Sequence, residues 1–183
     1  MVGEGLLHST YIMINTEPLI ATPQSHPEFF SFYLCDFMFD GDHCKSVEHA
    51  LQAAKFLDEE VRQRILITED PKEARNLGMK RHKSFRRDWN KVKVQIMADI
   101  QLAKYSSDDL LRQKLLETVH RPIKMMSSND LFWSTNEEDD GSNILGRILC
   151  SVRWTLLMLR NYVESEHRMA KRSYYEKHKE NKC

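Results

Sequence analysis

The sequence predicts a mainly helical α+β fold in a single compact domain, with a small β-sheet or hairpin near the N-terminus. An aromatic-rich stretch at residues 28–45 is centred on Asp40-Gly41, a dipeptide that favours a two-residue hairpin turn. Further along the chain, apolar residues recur at spacings of three and four, which is typical of helices with one face on a core. The 183 residues are enough to bury one such core but too few for two large domains.

The first helix is expected directly after the hairpin, in residues 46–57, which read SVEHALQAAKFL with Ser46 as the cap. One side of this segment carries Glu48, Gln52 and Lys55 at helical spacing, so a carboxylate, an amide and an amine share one stripe. Such a stripe is more often the solvated face of an ordinary helix than part of a pocket. The other side is apolar and should face the core: Val47, Ala50, Leu51, Ala54 and Leu57.

Three further helices are expected before residue 120. Residues 70–78 begin with an Asp-Pro start signal and end at a glycine that can close a helix. Residues 88–105 carry apolar side chains at helical spacing and predict a long helix. Ser107 or Asp108 is expected to cap the next helix, which should run through about Thr118.

Residues 127–143 interrupt the helical pattern with turn-forming residues. They place Phe132 and Trp133 in a loop, where large apolar rings often mark a binding site. The helix that follows should lie at the centre of the core, with these residues facing inward: Ile144, Leu145, Ile148, Leu149, Val152, Leu156 and Leu159. The charged end of the chain is expected to be a frayed helical extension or a disordered tail. The predicted organisation is an N-terminal segment, one domain and a charged tail, at residues 1–27, 28–160 and 161–183.

The composition excludes several classes of protein. The chain has 27 basic and 27 acidic residues, so any recognition of a polyanion must come from a local patch. The first residues lack the pattern of a secretory leader, and no stretch approaches the roughly 20 apolar residues of a membrane span. We therefore expect a cytoplasmic protein, or a nuclear one, without membrane association.

Four cysteines without a CxxC pair indicate neither a zinc site nor a disulfide framework, so we expect no metal and no cofactor: Cys35, Cys44, Cys150 and Cys183.

A second chemical pattern lies in residues 79–93, which read MKRHKSFRRDWNKVK. This segment carries seven Lys or Arg residues against one Asp, with Phe85 and Trp89 among them. Basic groups that clamp phosphate and a ring that stacks on a base are what nucleotide recognition requires. The alternative is a solvated basic turn in which Trp89 pins the start of a helix to the core.

Short motifs follow one another in a fixed order over about 120 residues. They are Phe32-Tyr33, Asp40-Gly41, Ser46-Val47-Glu48-His49, Gln52-Ala53-Ala54-Lys55-Phe56, Glu73-Ala74-Arg75, Leu77-Gly78, Arg86, Asp88-Trp89, Val92-Lys93, Ala103-Lys104-Tyr105, Asp130, Phe132-Trp133, Asn143, Leu145-Gly146 and Val152-Arg153. In this order they resemble the NADAR domain family, also called YbiA-like, whose members cleave N-glycosidic bonds in nucleotide-type substrates. Each motif is weak alone, whereas the series in register is specific.

The resemblance implies removal of ADP-ribose from modified guanine, free or within nucleic acid, or hydrolysis of a ribose phosphate intermediate of flavin synthesis. Both reactions break a carbon–nitrogen bond through an oxocarbenium-like transition state, which requires negative charge beside the sugar. Glu48 is the candidate for that charge and for the base. Lys55 is the candidate for an amine nucleophile that forms a transient Schiff base. Asp130 would hold the ribose hydroxyls or orient the water.

The resemblance also implies six contacts with the substrate: Gln52, Arg81, Arg86, Trp89, Trp133 and Asn143. The two tryptophans would form walls for a base, the two arginines would hold phosphates, and Asn143 would bridge the loop and the substrate. Structural alternatives exist for several of these residues. Asp130 can be a cap or turn former, Asn143 can be the cap of the last helix, and each tryptophan can be a packing residue.

Several positions depart from the family pattern. Phe30-Ser31 replaces a Ser-Asn pair, Met79 replaces an arginine and Met125 replaces a glutamate. Glycines of the loop after Trp133 are also replaced, and acidic residues surround them, which makes backbone cradling of a phosphate harder: Ser134, Asn136 and Asp139. Two alternatives to an enzyme follow: a degenerate module that binds ADP-ribose or a related nucleotide without turnover, and a helical interaction protein that works through its charged tail.

Overall fold

The computed structural model describes residues 15–179, except for the side chains of residues 173 and 175–179. Within this range six α-helices and four short strands confirm the predicted mainly helical α+β class. The elements in chain order are β1 (Leu19–Ala21), β2 (Leu34–Phe39), β3 (Asp42–Ser46), α1 (Val47–Ala53), α2 (Glu59–Leu66), α3 (Pro71–Gly78), α4 (Trp89–Ser107), α5 (Asp109–Leu116), β4 (Ile123–Met125) and α6 (Ile144–Lys179). Residues 1–14 of the predicted N-terminal segment, residues 180–182 of the predicted tail and Cys183 lie outside the described range.

The predicted hairpin is confirmed. Strands β2 and β3 pair antiparallel, with Phe39 opposite Asp42 at the turn. Asp40 and Gly41 have φ angles of 52° and 85°. Both central residues are therefore left-handed, which matches the twist of a two-residue hairpin. Ser46 ends β3 and caps α1, as predicted, because its side chain accepts a hydrogen bond from the backbone of His49.

A second small sheet was not predicted. Strand β1 pairs parallel with β4, from Leu19 opposite Ile123 to Ala21 opposite Met125. Residues 19–21 belong to the predicted N-terminal segment, which was not expected to contain a strand. This pairing fixes the path of the chain into the loop that follows β4.

Helix α1 lies in the centre of the domain, and all of its residues are buried. The helix ends at Ala53, four residues earlier than predicted, because the chain turns away to pair Phe56 with Phe85. Phe56 is consequently buried, whereas Leu57, which was predicted to face the core, is 72% exposed. Lys55 thus lies in the turn directly after α1.

The remaining helices follow local start signals. Asp70 and Asp108 cap α3 and α5 through their carboxylates, so Asp108 rather than Ser107 is the cap of α5. Helix α2 had not been predicted, although Asp58 caps it in the same way.

Helix α6 packs its first turns against β4, α4 and α5. Five of its seven predicted core residues are buried, and Ile144 is partly buried. The prediction for Leu159 is wrong, because its side chain is 54% exposed. The helix continues to Lys179 without a break. The charged end of the chain is thus, up to that residue, an extension of the helix.

No helix within residues 15–179 combines the length and the apolar character that crossing a membrane requires.

Candidate active site

A cavity of about 760 Å³ opens between α1, α3, the start of α4 and the loop after β4. This volume is within the range of about 300–1,000 Å³ that is usual for sites binding small molecules. Six of the nine residues predicted from the sequence line this cavity: Glu48, Gln52, Lys55, Trp89, Asp130 and Trp133. The polar stripe of the first helical segment therefore faces a pocket and not bulk water.

Glu48 is a buried carboxylate, 2% exposed, in the wall of the cavity. One of its oxygens accepts a hydrogen bond from the hydroxyl of Ser31 at 2.7 Å, and the other accepts one from Nε2 of Gln52 at 2.7 Å. Nη1 of Arg75 lies 3.6 Å from Oε1. Two donors and one cation thus compensate for the burial of the negative charge.

Gln52 joins this carboxylate to Lys55. Its Oε1 accepts a hydrogen bond from Nζ of Lys55 at 2.5 Å while its Nε2 donates to Glu48. Gly78 makes room for the amide, because a Cβ at that position would lie 2.7 Å from Cβ of Gln52. Gly78 does end α3 as predicted, and it also clears space for the site. The three polar side chains form one hydrogen-bonded row.

The ammonium group of Lys55 is partly buried at the end of this row. Burial lowers the pKa of Lys55 below its usual 10.5, and the positive charge of Arg75 lowers it further, while the charge of Glu48 acts in the opposite direction. Nζ also lies 5.9 Å from the ring centroid of Trp89. A larger fraction of this amine is neutral near pH 7 than for a lysine in water.

Aromatic rings and two further cations complete the walls. Phe132 and Trp133 meet edge to face with their ring centroids 4.8 Å apart, and Nζ of Lys93 lies 4.0 Å from the centroid of Phe132. Arg75 approaches the ring of Phe32, with Cζ 5.8 Å from the centroid. Arg75 and Lys93 were not assigned a role from the sequence, although both fall in motifs of the resemblance. The packing of α3 and α4 on α1 directs the side chains of Arg75 and Lys93 toward the cavity.

Asp130 lines the cavity and also shapes its loop. Its carboxylate accepts a hydrogen bond from the backbone of Phe132 at 3.2 Å. Its carbonyl accepts hydrogen bonds from the backbone and the hydroxyl of Ser134, at 3.0 and 2.7 Å. Asp130 therefore acts as a turn former and also lines the cavity, so the structural alternative does not conflict with the role expected toward the substrate.

Three predicted site residues lie outside the lining of the cavity. Arg81 is exposed in the loop after α3, and Arg86 pairs with the carboxylate of Asp88 through two contacts of 3.1 Å. Asn143 accepts a hydrogen bond from the backbone of Met125 at 3.0 Å and donates one to the carbonyl of Ile123 at 2.9 Å. Asn143 therefore fastens β4 to the start of α6. The residues of the proposed reaction therefore do not include these three.

The family is decided by a comparison with family models, in which the NADAR domain matches residues 19–157. The chain belongs to the NADAR domain family. The N-glycosidase YbiA of Escherichia coli (strain K12) is 32% identical to it over 133 residues, which are 73% of this chain and 83% of that protein. The riboflavin biosynthesis protein VVA0006 of Vibrio vulnificus (strain YJ016) is 33% identical over 130 residues, which are 71% of this chain and 35% of that protein.

The fold of this NADAR domain agrees with a solved structure. The NMR structure of E. coli YbiA superimposes with a TM-score of 0.72 at 29% sequence identity, covering 82% of this chain and 92% of that one. The comparison supports a shared fold along most of the domain. The relatives named as N-glycosidases make this a family of enzymes that break N-glycosyl bonds.

Several residues that depart from the NADAR pattern have a defined place in the structure. Ser31 stands where the pattern has an asparagine, and its hydroxyl still donates to Glu48. Met125 is fully buried and lines the cavity. Asp139, at a position where a glycine is usual, has a φ of 65° and pairs with Lys124 at 2.8 Å. The acidic residues around it are exposed and lie outside the cavity lining: Glu137, Glu138 and Asp140.

Metal and disulfide chemistry find no support in the described part of the chain. No group of three or more His, Cys, Asp or Glu side chains within residues 15–179 is arranged to hold a metal ion. Cys35, Cys44 and Cys150 are free thiols. The expectation of a site without metal or cofactor stays a prediction.

Proposed function

We propose that this protein is an N-glycosidase that hydrolyses the bond between a ribose and a base in a nucleotide-type substrate, with ADP-ribosylated guanine as the preferred class. The observation that carries the proposal is the hydrogen-bonded row of Glu48, Gln52 and Lys55 in one wall of a ligand-sized cavity. The names of the relatives support the same reaction type.

Glu48 is the group that stabilises the reacting sugar. As the C1′–N bond breaks, the base takes the bonding electrons and a proton, and positive charge develops on C1′. A fixed, buried carboxylate beside that carbon stabilises the charge more strongly than water does. Water then adds to C1′ and loses a proton, so the products are a free sugar hydroxyl and a free N–H on the base.

Lys55 offers a covalent route to the same products. Its neutral amine attacks C1′ as the base leaves, and the resulting glycosylamine opens to a Schiff base, which water hydrolyses back to the free amine and the sugar. The lowered pKa of Lys55 supports this route, because only the neutral amine has an electron pair to donate. Gln52 holds the amine beside the carboxylate in either case.

Two cations of the cavity besides Lys55 support a diphosphate substrate. Arg75 and Lys93 are charged groups in the lining that are suited to phosphate oxygens. ADP-ribose brings two phosphates, whereas a ribose phosphate intermediate brings one. Trp89 and Trp133 supply the walls on which a base can stack.

The second candidate function is a degenerate module that binds ADP-ribose or a related nucleotide without turnover. Met125 favours it, because a fully buried methionine lines the cavity where the family pattern has a glutamate. A thioether can neither carry the charge nor transfer the proton of that carboxylate.

A substrate panel separates the two candidates. The purified protein is incubated with an oligonucleotide carrying ADP-ribosyl guanine and, separately, with the ribosylated pyrimidine phosphate of flavin synthesis, and the release of free sugar is followed by mass spectrometry. Release of ADP-ribose from the first substrate supports the proposal. Saturable binding of ADP-ribose without release from either substrate supports the module, and neither release nor binding contradicts both.

A further inference from the structure

Most of the cations in the basic segment after α3 have no part in the reaction proposed above, which takes only Trp89 and Lys93 from residues 79–93. Five of its cations are exposed, and within residues 15–179 none of them pairs with a carboxylate. We name them the basic rim: Lys80, Arg81, Lys83, Arg87 and Lys91. Arg86 is different, since Asp88 neutralises it. Because the whole chain has no net charge, the rim is a local concentration of positive potential.

The segment that carries the basic rim reaches the cavity at two of its residues. This segment runs from Met79 into the first turn of α4, where Lys91 lies, and both Met79 and Trp89 line the cavity. Its backbone is tied to the site, because the N–H of Arg86 donates to the carbonyl of Lys55 at 2.8 Å. The N–H of Leu57 donates to the carbonyl of Ser84 at 2.9 Å. The position of the rim relative to Lys55 is therefore fixed by the fold.

Phe85 presents an aromatic ring in the middle of the basic rim. The ring is 40% exposed and packs edge to face against Phe56 with the centroids 5.9 Å apart. A ring held in this way, among cations, is what proteins that bind single strands use to stack a base.

We propose that the basic rim and Phe85 bind the sugar-phosphate backbone and one base of a single-stranded nucleic acid whose modified base enters the cavity. This inference rests on the proposed N-glycosidase function and adds the partner. A free nucleotide places its phosphates inside the cavity, near Arg75 and Lys93, and leaves the rim without a ligand. A strand continues past the cavity and presents a phosphate at every nucleotide to the exposed cations.

A membrane surface fits these observations less well. Anionic lipid needs only positive charge, and nothing in that interaction requires the charge to border a cavity of nucleotide size. A strand explains both the charge and the attachment of this segment to the turn that carries Lys55.

The test measures binding of an unmodified strand, which needs no turnover. Fluorescent single-stranded DNA and RNA probes of about 12 nucleotides are titrated with the full chain by fluorescence polarisation, at salt concentrations from about 50 to 200 mM. The test variant combines Lys80→Gln, Lys83→Gln and Arg87→Gln. The control combines Arg160→Gln, Arg168→Gln and Lys171→Gln, which remove the same charge about 20–40 Å along α6 from Leu145.

The wild-type protein is expected to bind at least one probe, with an affinity that falls as salt rises. The rim variant should bind at least about tenfold more weakly at low salt, and its slope of log affinity against log salt should be shallower by about 2, since each phosphate contact on a single strand contributes about 0.7. The control should keep the wild-type affinity within about twofold.

Three results would overturn the inference. They are equal affinity of the rim variant and the wild type, an equal loss in rim and control variants, and binding to phosphatidylserine vesicles without binding to either probe. The proposed function fails in a different way. It fails if ADP-ribose is released neither from the modified oligonucleotide nor from free ADP-ribosyl guanosine, whatever the probes show.

Discussion

Gln52 donates a 2.7 Å hydrogen bond to Glu48, and both side chains are buried in the same wall of the cavity. Because the oxygen of the Gln52 amide accepts a hydrogen bond from Lys55, a flip of the amide would break both hydrogen bonds. The effects of substitutions at Glu48, Gln52 and Lys55 are therefore expected to be non-additive.

Lys55→Arg is expected to abolish the covalent route, because a guanidinium stays protonated and cannot attack C1′. Borohydride reduction during turnover should attach the sugar to Lys55 in the wild-type protein and to no residue in the variant, as read by peptide mass spectrometry. Trapping of a sugar on a different residue would contradict this role.

The release rate is expected to rise with pH through the lowered pKa of Lys55. Below that pKa the amine is protonated and unreactive, and above it the neutral form predominates, so the rise should lie below the 10.5 of an ordinary lysine. The measurement is a pH profile of kcat. A rate that falls over the same range would contradict attack by the amine.

Gly78→Ala is expected to lower the release rate by about tenfold to a hundredfold, because the new methyl group displaces Gln52. The free energy of unfolding should fall by only about 1–3 kcal/mol, as for other cases of local overpacking. Asn76→Ala, on an exposed position of the same helix, is the matched control and should change neither quantity appreciably. A folded Gly78→Ala protein with the full wild-type rate would show that the position of Gln52 is unimportant.

The sequence predicts those parts of the fold that depend on neighbouring residues. The Asp40-Gly41 turn and the caps at Ser46 and Asp70 are set by local chemistry and agree with the prediction, and the α5 cap is Asp108, one of the two residues predicted for it. The pairing of β1 with β4 was missed, since each strand has three residues and about a hundred residues separate them. Such a short strand has no readable periodicity.

For the site too, residues close together in the chain could be grouped from the sequence, whereas residues brought together by packing could not. Glu48, Gln52 and Lys55 could be grouped from helical spacing, because they lie within one short segment. Arg75 and Lys93 reach the cavity only through the packing of α3 and α4, which spacing along the chain does not reveal. Arg86 has the residue type that phosphate binding needs, but its neighbour Asp88 neutralises it.

Asn143→Ala is expected to reduce stability more than catalysis. The substitution removes the hydrogen bonds to Met125 and Ile123, at a residue whose φ of 45° disfavours alanine. A loss of about 2–3 kcal/mol in the free energy of unfolding should follow, measured by urea denaturation. The affinity for ADP-ribose of the protein that remains folded should change little. A normal stability with a large loss of affinity would instead support a direct contact with the substrate.

Lys104 should make stability depend on pH. It is fully buried, its Nζ donates to the carbonyl of Glu28 at 2.5 Å, and burial lowers its pKa from 10.5 to about 8. Between pH 8 and 10.5 the unfolded chain binds the proton that the folded one has released, so this group stabilises the fold increasingly as pH rises.

The effect of Lys104 is measured as a difference, because Tyr105 has a raised pKa and also contributes in this range. The free energy of unfolding of the wild type minus that of Lys104→Met should grow by about 3 kcal/mol between pH 8 and 10.5. Parallel pH profiles for the two proteins would contradict the lowered pKa.

The most direct test of the central claim is the rate of sugar release by Glu48→Gln. The variant keeps the shape of the side chain and removes its charge, so kcat should fall by about a hundredfold to a thousandfold while ADP-ribose still binds. Glu60→Gln, on the exposed face of α2, serves as the control and should keep the wild-type rate. Release by Glu48→Gln at the wild-type rate would contradict the account.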